Sequence, residues 1–551
     1  MRKTTFILLI LLVVASLVLG GCKSTTTPPE TSSYLTETPE TAASSTPTET
    51  PETTPTPEQT TTTTKITPAS FKVTSLDVTP IVAEPGQAVT VEVSVLNEGG
   101  SAGSSQQALT INGVEIEVKE TTVASNTTNT VTFTVTENVS GLYEIEVAGF
   151  TETLRVKQPG AYPRLVNTYI VWAGKTASAD FLWYPQEKPT PQLKSLARYD
   201  IICIPYTIAY YAPESIRQLK KLNPRIKILA LFWTGESDLA DLKAEQLLHE
   251  EWFLHYGNTP GNSVPPEQRR AKFMEVMWLM NPASEWSTYA PTYIHDNIMT
   301  SGLFDGVFLD MIYEWGNEIH NLNMDNIDID NDGNTDSPDV VKTQYNNGMT
   351  QLLKSTRELC GPETIIICNL EWGENSPYYM YANGNFQENA LGDIPWANHD
   401  FSAVWEVYRR NMQQPSPPAR IHLIGADTCG LQFDDFNPDL SPTELQKMRY
   451  GLTITLLDNG YFGFDRGIPY HCQVWWFPEY DANLGLAVGD AQQRSDGTWM
   501  REFENGVVLV NPTGSAKTIE LTDTYQDVTT GEKGTHFMVQ PSDGRIFIKS
   551  Q

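Results

Sequence analysis

Positive charge is scarce in this chain. Its 551 residues carry 37 Lys and Arg against 67 Asp and Glu, a formal net charge of -30. A polymer of phosphates would repel it, which excludes nucleic acid as a partner. Cysteine is scarce too, six in all. Apart from Cys22, the five others (Cys203, Cys360, Cys368, Cys429 and Cys472) are an odd number without zinc-ligand spacing. Neither a complete disulfide framework nor a structural zinc site is expected. Cys203 and Cys368 lie inside apolar runs and read as small buried hydrophobes, leaving Cys429 with Cys472 as the one candidate bridge. The eight histidines show no metal-ligand spacing, and the GxSxG, HExxH and Walker lysine patterns are missing. Serine-hydrolase, zinc-protease and P-loop chemistry are thereby excluded, and no organic cofactor is expected.

Long apolar runs are confined to the N-terminus. Arg2 and Lys3 precede an apolar stretch from Phe6 to Leu19, followed by Leu19-Gly20-Gly21-Cys22. The run is short for a membrane span, and the small residues before Cys22 resemble the lipobox of bacterial lipoproteins. Residues 1–21 are read as a signal peptide and Cys22 as the lipidated residue, which implies an extracytoplasmic protein anchored to a prokaryotic membrane or cell surface. Residues 22–68 are almost entirely Thr, Ser, Pro and Glu and cannot bury a core, so they are expected to form a disordered tether.

From residue 69 to 158, runs such as AVTVEVSVLN and TVTFTVTE alternate at period two between Gly, Asn and Ser turns, which predicts a β-sandwich of about seven strands. Its segment PGQAVTVEVSVLNEGGSAGS resembles the opening of bacterial cell-adhesion-related, Ig-like modules, which implies a spacer. Residues 161–489 alternate short apolar runs with amphipathic stretches, the pattern of βα units. The expected strands are 168–174, 199–205, 227–233, 305–311, 364–372, 383–389, 420–427 and 461–465, enough to close a (β/α)8 TIM barrel. A doubly wound sheet is the rival, and VMWLMNP (276–282) is assigned to an insertion. Residues 490–551 read as a small C-terminal antiparallel β-domain.

A barrel's site lies where its strands end, and here those ends carry carboxylates: Asp310, Glu371, Glu388, Asp427 and Asp465. Such a set fits glycoside hydrolysis, which needs one carboxylate as nucleophile or base and one carboxyl group as proton donor. Asp310 and Glu388 are the expected pair, ending the fourth and sixth strands, with Glu371 in reserve for either role. Trp172, Trp233, Tyr313, Trp315 and Trp372 are candidate stacking faces for sugar rings, and Asp427 and Asp465 candidate substrate contacts. The substrate is therefore expected to be a carbohydrate. The alternative from another class is a non-catalytic surface glycan-binding or adhesion lipoprotein.

DGVFLD, the strand ending NGNFQEN and the late run from WWFPEYDANLGLAVGD through REFENGVVLVNPT resemble hypothetical glycosyl hydrolase family 15, relatives of the α-galactosidase superfamily, over roughly residues 165–550. The resemblance implies a barrel glycosidase with a fourth-strand Asp as nucleophile and a sixth-strand acid as proton donor, the positions of Asp310 and Glu388.

One constellation stands outside this chemistry. DIDNDGNTDSPD (328–339) sets Asp328, Asp330 and Asp332 at alternate positions, then Gly333 for a turn, the Asn334 carbonyl, Asp336, and an acid, Asp339, at the twelfth position. That spacing is expected to bind Ca2+ in a structural role, although the twelfth residue is Asp in place of Glu.

Overall fold

Alternation of side chains organises the chain from its first strand. In the computed structural model, residues 67–168, 190–237, 249–259, 261, 263–273, 277–316, 324–370, 372–388, 390–391, 400–415, 417–427, 439–466 and 474–550 are described. The expected signal peptide, Cys22, most of the tether, Cys429, Cys472, Trp172 and Glu371 lie outside them.

The first eight strands are β1 (Phe71–Thr79), β2 (Val82–Ala83), β3 (Ala88–Asn97), β4 (Gly103–Ile111), β5 (Val114–Val123), β6 (Thr128–Thr136), β7 (Gly141–Val147) and β8 (Phe150–Val156). They form two sheets, β1-β3-β6 and β2-β8-β7-β4-β5. In β3 the valines at 89, 91, 93 and 95 are buried while Ala88, Thr90 and Glu92 face water, as period two requires. Those valines join Leu109, Phe133, Ile145 and Leu154 in the core.

The barrel strands are β9 (Val166–Asn167), β10 (Ile201–Pro205) and β11 (Lys227–Trp233), then, after an insertion, β16 (Gly306–Asp310), β18 (Ile365–Asn369), β19 (Gly384–Gln387), β20 (Leu423–Asp427) and β21 (Tyr461–Asp465). Every pairing among them is parallel, in the order β21-β20-β19-β18-β16-β11-β10-β9. The sheet closes through a backbone bridge of Leu165 with Phe462, whose N–H donates to the Arg164 carbonyl at 3.0 Å. A Cβ on Gly463 would stand 2.8 Å from the Val166 carbonyl oxygen, so this closure needs a residue without a side chain. Closure overturns the doubly wound alternative. The first strand is Val166–Asn167, slightly earlier than expected, and most of 168–174 lies outside the described residues.

Because these strands are covered on both faces, they read as continuous apolar runs: all five residues of Ile201–Pro205 are buried. The inward set is Val166, Ile201, Cys203, Leu229, Leu231, Phe308, Ile367, Phe386 and Leu423, a packed plug. The outward set, such as Ile202, Ile204, Ile228, Val307 and Ile366, packs in the larger core. Helices α1 (Pro191–Leu196), α2 (Pro213–Leu222), α3 (Trp286–Tyr293), α4 (Pro338–Cys360), α5 (Phe401–Gln413) and α6 (Pro442–Thr455) alternate with the strands. Thr190 and Asp400 cap α1 and α5, and Ser441 with Glu444 forms a capping box on α6. The insertion after β11 carries β12 (Glu236–Ser237), β13 (His255–Tyr256), β14 (Lys272–Phe273) and β15 (Met277–Leu279). β15 pairs antiparallel with β12 and β14, so the VMWLMNP run stays outside the barrel. The loop after β16 carries β17 (Ile327–Asp328), antiparallel to β13.

The last strands, β22 (Gln492–Gln493), β23 (Trp499–Phe503), β24 (Gly506–Asn511), β25 (Lys517–Asp527), β26 (Lys533–Val539) and β27 (Asp543–Lys549), make one antiparallel sheet. Arg501 fixes it to the barrel by donating to the carbonyls of Leu456 and Asp458 and to Asn459 Oδ1. Arg449 of α6 pairs with Asp543 at 3.0 Å. On the N-terminal side, Lys157 pairs with Asp200, which precedes β10, and Ile81 N donates to the Leu222 carbonyl at the end of α2. The N-terminal sheets therefore meet the barrel where its strands begin, opposite the ends that carry the acids. Glu479 and Asp481 are joints: Glu479 accepts from Thr529, and Asp481 holds Arg155, Arg198 and Trp476 Nε1.

His422, just before β20, is fully buried, bonds Gln387 through Nε2 at 2.9 Å and stacks on Tyr408. Burial pushes its pKa down to about 3. Since the unfolded chain takes up this proton and the folded chain does not, stability is complete above about pH 6.5 and falls with acidification toward pH 3. We expect urea-unfolding free energies to fall by about 1.4 kcal/mol per pH unit from this group over that window. In His422→Phe the acid limb should be shallower by that slope; an unchanged slope would show that His422 titrates normally.

Candidate active site

Each inward strand position is followed two residues later by another inward position. Beyond Leu231, Phe308, Ile367 and Phe386 of the plug, that rule gives Trp233, Asp310, Asn369 and Glu388. These four make the next layer toward the barrel mouth, and β11, β16, β18 and β19 are neighbours in the sheet. The layer changes from apolar to polar at one step.

Asn369 joins the two expected carboxylates. Its Nδ2 donates to Asp310 Oδ1 at 2.9 Å and to Glu388 Oε2 at 3.0 Å, while its Oδ1 accepts from Leu370 N, which fixes the amide orientation. Sharing one nitrogen, the two bonded oxygens lie within about 6 Å of each other. Asp310 is 4% exposed, and its Oδ1 also accepts from Met311 N at 2.9 Å. Glu388 is half-buried. The pair thus comprises a sunken carboxylate with two donors on one oxygen and a more accessible carboxyl group beside it.

The backbone beyond both strand ends is bent unusually. Met311 has φ 58° and Leu370 φ 87°, left-handed conformations at non-glycine residues directly after Asp310 and Asn369. Each costs of order 1–3 kcal/mol and persists where surrounding structure imposes it. Gly235, after β11, is part of that surrounding: a Cβ there would lie 2.0 Å from the Met311 carbonyl oxygen. β18 ends at Asn369, directly before the Leu370 bend, and Glu371, the reserve acid, lies outside the described residues.

Other expectations divide. Tyr313, Trp315 and Trp372 are buried, at 7%, 4% and 0% exposure, so they are corrected from sugar platforms to core residues. The reason is local: Trp372 Nε1 donates to the Ile312 carbonyl and its ring packs edge-on against Tyr378 and Tyr379, while Trp315 packs on Tyr345 and the Tyr313 carbonyl accepts from Tyr378. These residues fold the loops over the barrel instead of presenting faces. Trp233 keeps partial exposure. Asp465 ends β21 and is 1% exposed, with Oδ1 accepting from Arg466 N; β21 is four strands from β16 in the ring. Asp427 lies beside it in register on β20. Asn369 is not among the expected residues, since an amide is neither acid nor base; its place two residues beyond inward-facing Ile367 is the signal that marks it in the sequence.

The family model described as hypothetical glycosyl hydrolase family 15 matches residues 220–507. No curated protein matches the chain. Among solved structures, a cycloisomaltooligosaccharide glucanotransferase from Paenibacillus sp. is 13% identical, the alignment covering 88% of this chain and 70% of that one at a TM-score of 0.33. A β-glucosidase from Listeria innocua is 18% identical over 16% of each chain, TM-score 0.14. The CARDB domain of a Pyrococcus furiosus protein is 19% identical over 19% of this chain and 99% of its own, TM-score 0.14. None of the three superposes closely enough to carry a substrate across.

The division among the tryptophans is measurable. Trp372→Ala should destabilise the fold by about 3–5 kcal/mol, as expected for emptying a buried aromatic site. Trp233→Ala, at a ring half-buried against the plug, should cost clearly less stability than Trp372→Ala and weaken carbohydrate binding. Equal stability losses in the two variants would show that Trp233 is core as well.

Proposed function

The chain belongs to hypothetical glycosyl hydrolase family 15, and on that premise we propose that it hydrolyses glycosidic bonds with retention of configuration, Asp310 acting as nucleophile and Glu388 as acid and base. The observation that carries this reading is the single Asn369 amide bonded to both carboxylates. A spacing within about 6 Å suits a retaining pair, typically about 5–5.5 Å apart, and is tight for an inverting pair, which needs about 6.5–9.5 Å to admit a water.

Two carboxylates this close do not both ionise freely, so the site holds one proton between them. In the proposed cycle Asp310 starts charged, which the two N–H donors on its Oδ1 favour, and Glu388 carries the proton. Asp310 then attacks the anomeric carbon while Glu388 protonates the departing oxygen, giving a glycosyl ester on Asp310. In the second half, Glu388 removes a proton from water, which attacks the same carbon and frees Asp310. Asn369 touches both groups and is a positioning residue. Trp233, in the same layer, supplies a partly exposed ring on which a sugar face can stack.

The proposal extends to the whole chain: a lipid anchor at Cys22, a disordered tether, an Ig-like spacer and a C-terminal β-domain, with the enzyme outside the cytoplasm. The apolar run ending in Leu19-Gly20-Gly21-Cys22 supports the anchor. The docking of the N-terminal sheets at the beginnings of the barrel strands supports the spacer, because it leaves the mouth turned away from the tether.

The test is a panel of aryl glycosides and polysaccharides with the full chain, following product configuration by NMR. Glu388→Gln should lower turnover of unactivated substrates by about 10²- to 10⁴-fold while sparing binding. Asp310→Ala should be inactive, and azide should restore turnover as a glycosyl azide of inverted configuration. Hydrolysis unaffected by either substitution would sink the assignment, and binding without hydrolysis by the parent chain would favour the glycan-binding alternative. Asn369→Ala should displace the bell-shaped pH dependence of kcat/KM, a readout that simple loss of stability would not move.

A further inference from the structure

The acidic loop between β17 and α4 was not needed by this chemistry. Its first residue, Asp328, is fully buried. Asp328 Oδ2 accepts from Gly333 N at 2.9 Å and from Arg269 Nη1 at 2.8 Å. Asp328 Oδ1 is also buried and has no hydrogen-bond partner among the described residues. Leaving a buried carboxylate oxygen without a partner carries its full desolvation cost, which a cation would remove. One oxygen each from Asp328, Asp330 and Asp332 lie within 4.8 Å of one another.

The rest of the loop is wound around these carboxylates. Asp330 Oδ1 accepts from Asp332 N, Asp332 Oδ1 from Asn334 N, and Asp336 Oδ2 from Ile329 N. Gly333 turns the chain at φ 91°, a conformation strained for any residue with a side chain. We infer that this loop binds a calcium ion through Asp328 Oδ1, Asp330, Asp332 and the Asn334 carbonyl; Asp336 and Asp339, expected from the spacing, stand outside the three-carboxylate cluster. The donor set is all oxygen, which disfavours zinc and copper, and a loop supplying many carboxylates suits calcium better than magnesium, which keeps its water and a small octahedron. His255, which adjoins the loop through Asn331, has both ring nitrogens occupied, by Asn331 and Glu250.

The loop that would hold the ion is itself joined to the insertion after β11. Besides the β13–β17 pairing, Asn281 Nδ2 donates to the Ile329 carbonyl and Asn258 N to the Gly333 carbonyl. The same insertion returns to the barrel through Met280 N, which donates to the carbonyl of Gly235, the residue pressed against Met311 beside Asp310. Calcium would therefore order the loop after β16, which these hydrogen bonds hold against the insertion after β11, and so stabilise the wall next to the acids without touching them.

The test uses the full chain, treated with a chelator, freed of it, and titrated with calcium chloride or magnesium chloride while melting temperature and binding heat are recorded. Calcium should raise the melting temperature by several degrees, and equal magnesium should do much less. Asp330→Asn combined with Asp332→Asn changes two exposed side chains, and circular dichroism checks that the variant folds. It should bind calcium at least about tenfold more weakly and lose the shift. Absence of both heat and shift in the parent chain, an undiminished shift in the variant, or equal responses to the two ions would each overturn the inference. No readout depends on hydrolysis, so its failure would leave the glycosidase proposal standing.

Discussion

The rest of the structure depends on the alternation of side chains along eight short parallel strands. Each strand has room for only a few inward residues, and the first of these fill the barrel with Val, Ile, Leu, Phe and one Cys. That plug lets the next layer be polar, because water is excluded below it and the neighbouring strands fix where each side chain stands. Asp310, Asn369 and Glu388 occupy adjacent staves of the barrel. Their mutual geometry is set by backbone register, and two left-handed residues just beyond the strand ends keep the chain from continuing past them.

The outer parts are attached so as to leave that layer undisturbed. Lys157, whose amino group burial pushes down to about 8, meets Asp200 at the beginnings of the strands, and Arg155 reaches Asp481 beside it. Pairs of this kind are costly to desolvate and still more costly to break, since a lost partner leaves a buried charge. They fix orientation more than they add stability. The C-terminal sheet is held by the same kind of chemistry, with Arg501 bonded to the backbone that leads from α6 into β21. The distinctive late run of the sequence, from Glu479 through Arg501, thus encodes joints between parts.

Legibility in the sequence followed the same physics. Strands buried on both faces announce themselves as apolar runs, so seven of the eight barrel strands overlap closely with Ile201–Pro205 and its successors as expected, and the run at 276–282 stays in an insertion. Asp310 and Glu388 were legible because each ends or directly follows such a run. Trp315 and Trp372 misled for a related reason: sequence shows that a tryptophan follows a strand but not that Ile312 or Tyr345 folds over it. The bend at Leu370, directly after Asn369, is not legible in the sequence, and Glu371 beyond it lies outside the described residues. Asn369 escaped because an amide has no proton to transfer, whereas its value lies in what it can donate.

That choice of side chain bears on how the pair would work. A Lys or Arg between Asp310 and Glu388 would favour ionisation of both, leaving no acid to protonate a departing sugar. An Asp there would add a third charge and drive protons onto the wrong partners. A neutral amide donates to both carboxylates and brings no proton of its own to their balance, while the Met311 N–H on Asp310 Oδ1 favours a charged Asp310 against the opposing effect of its burial. The amide holds the two carboxylates at a fixed distance without adding a charge between them.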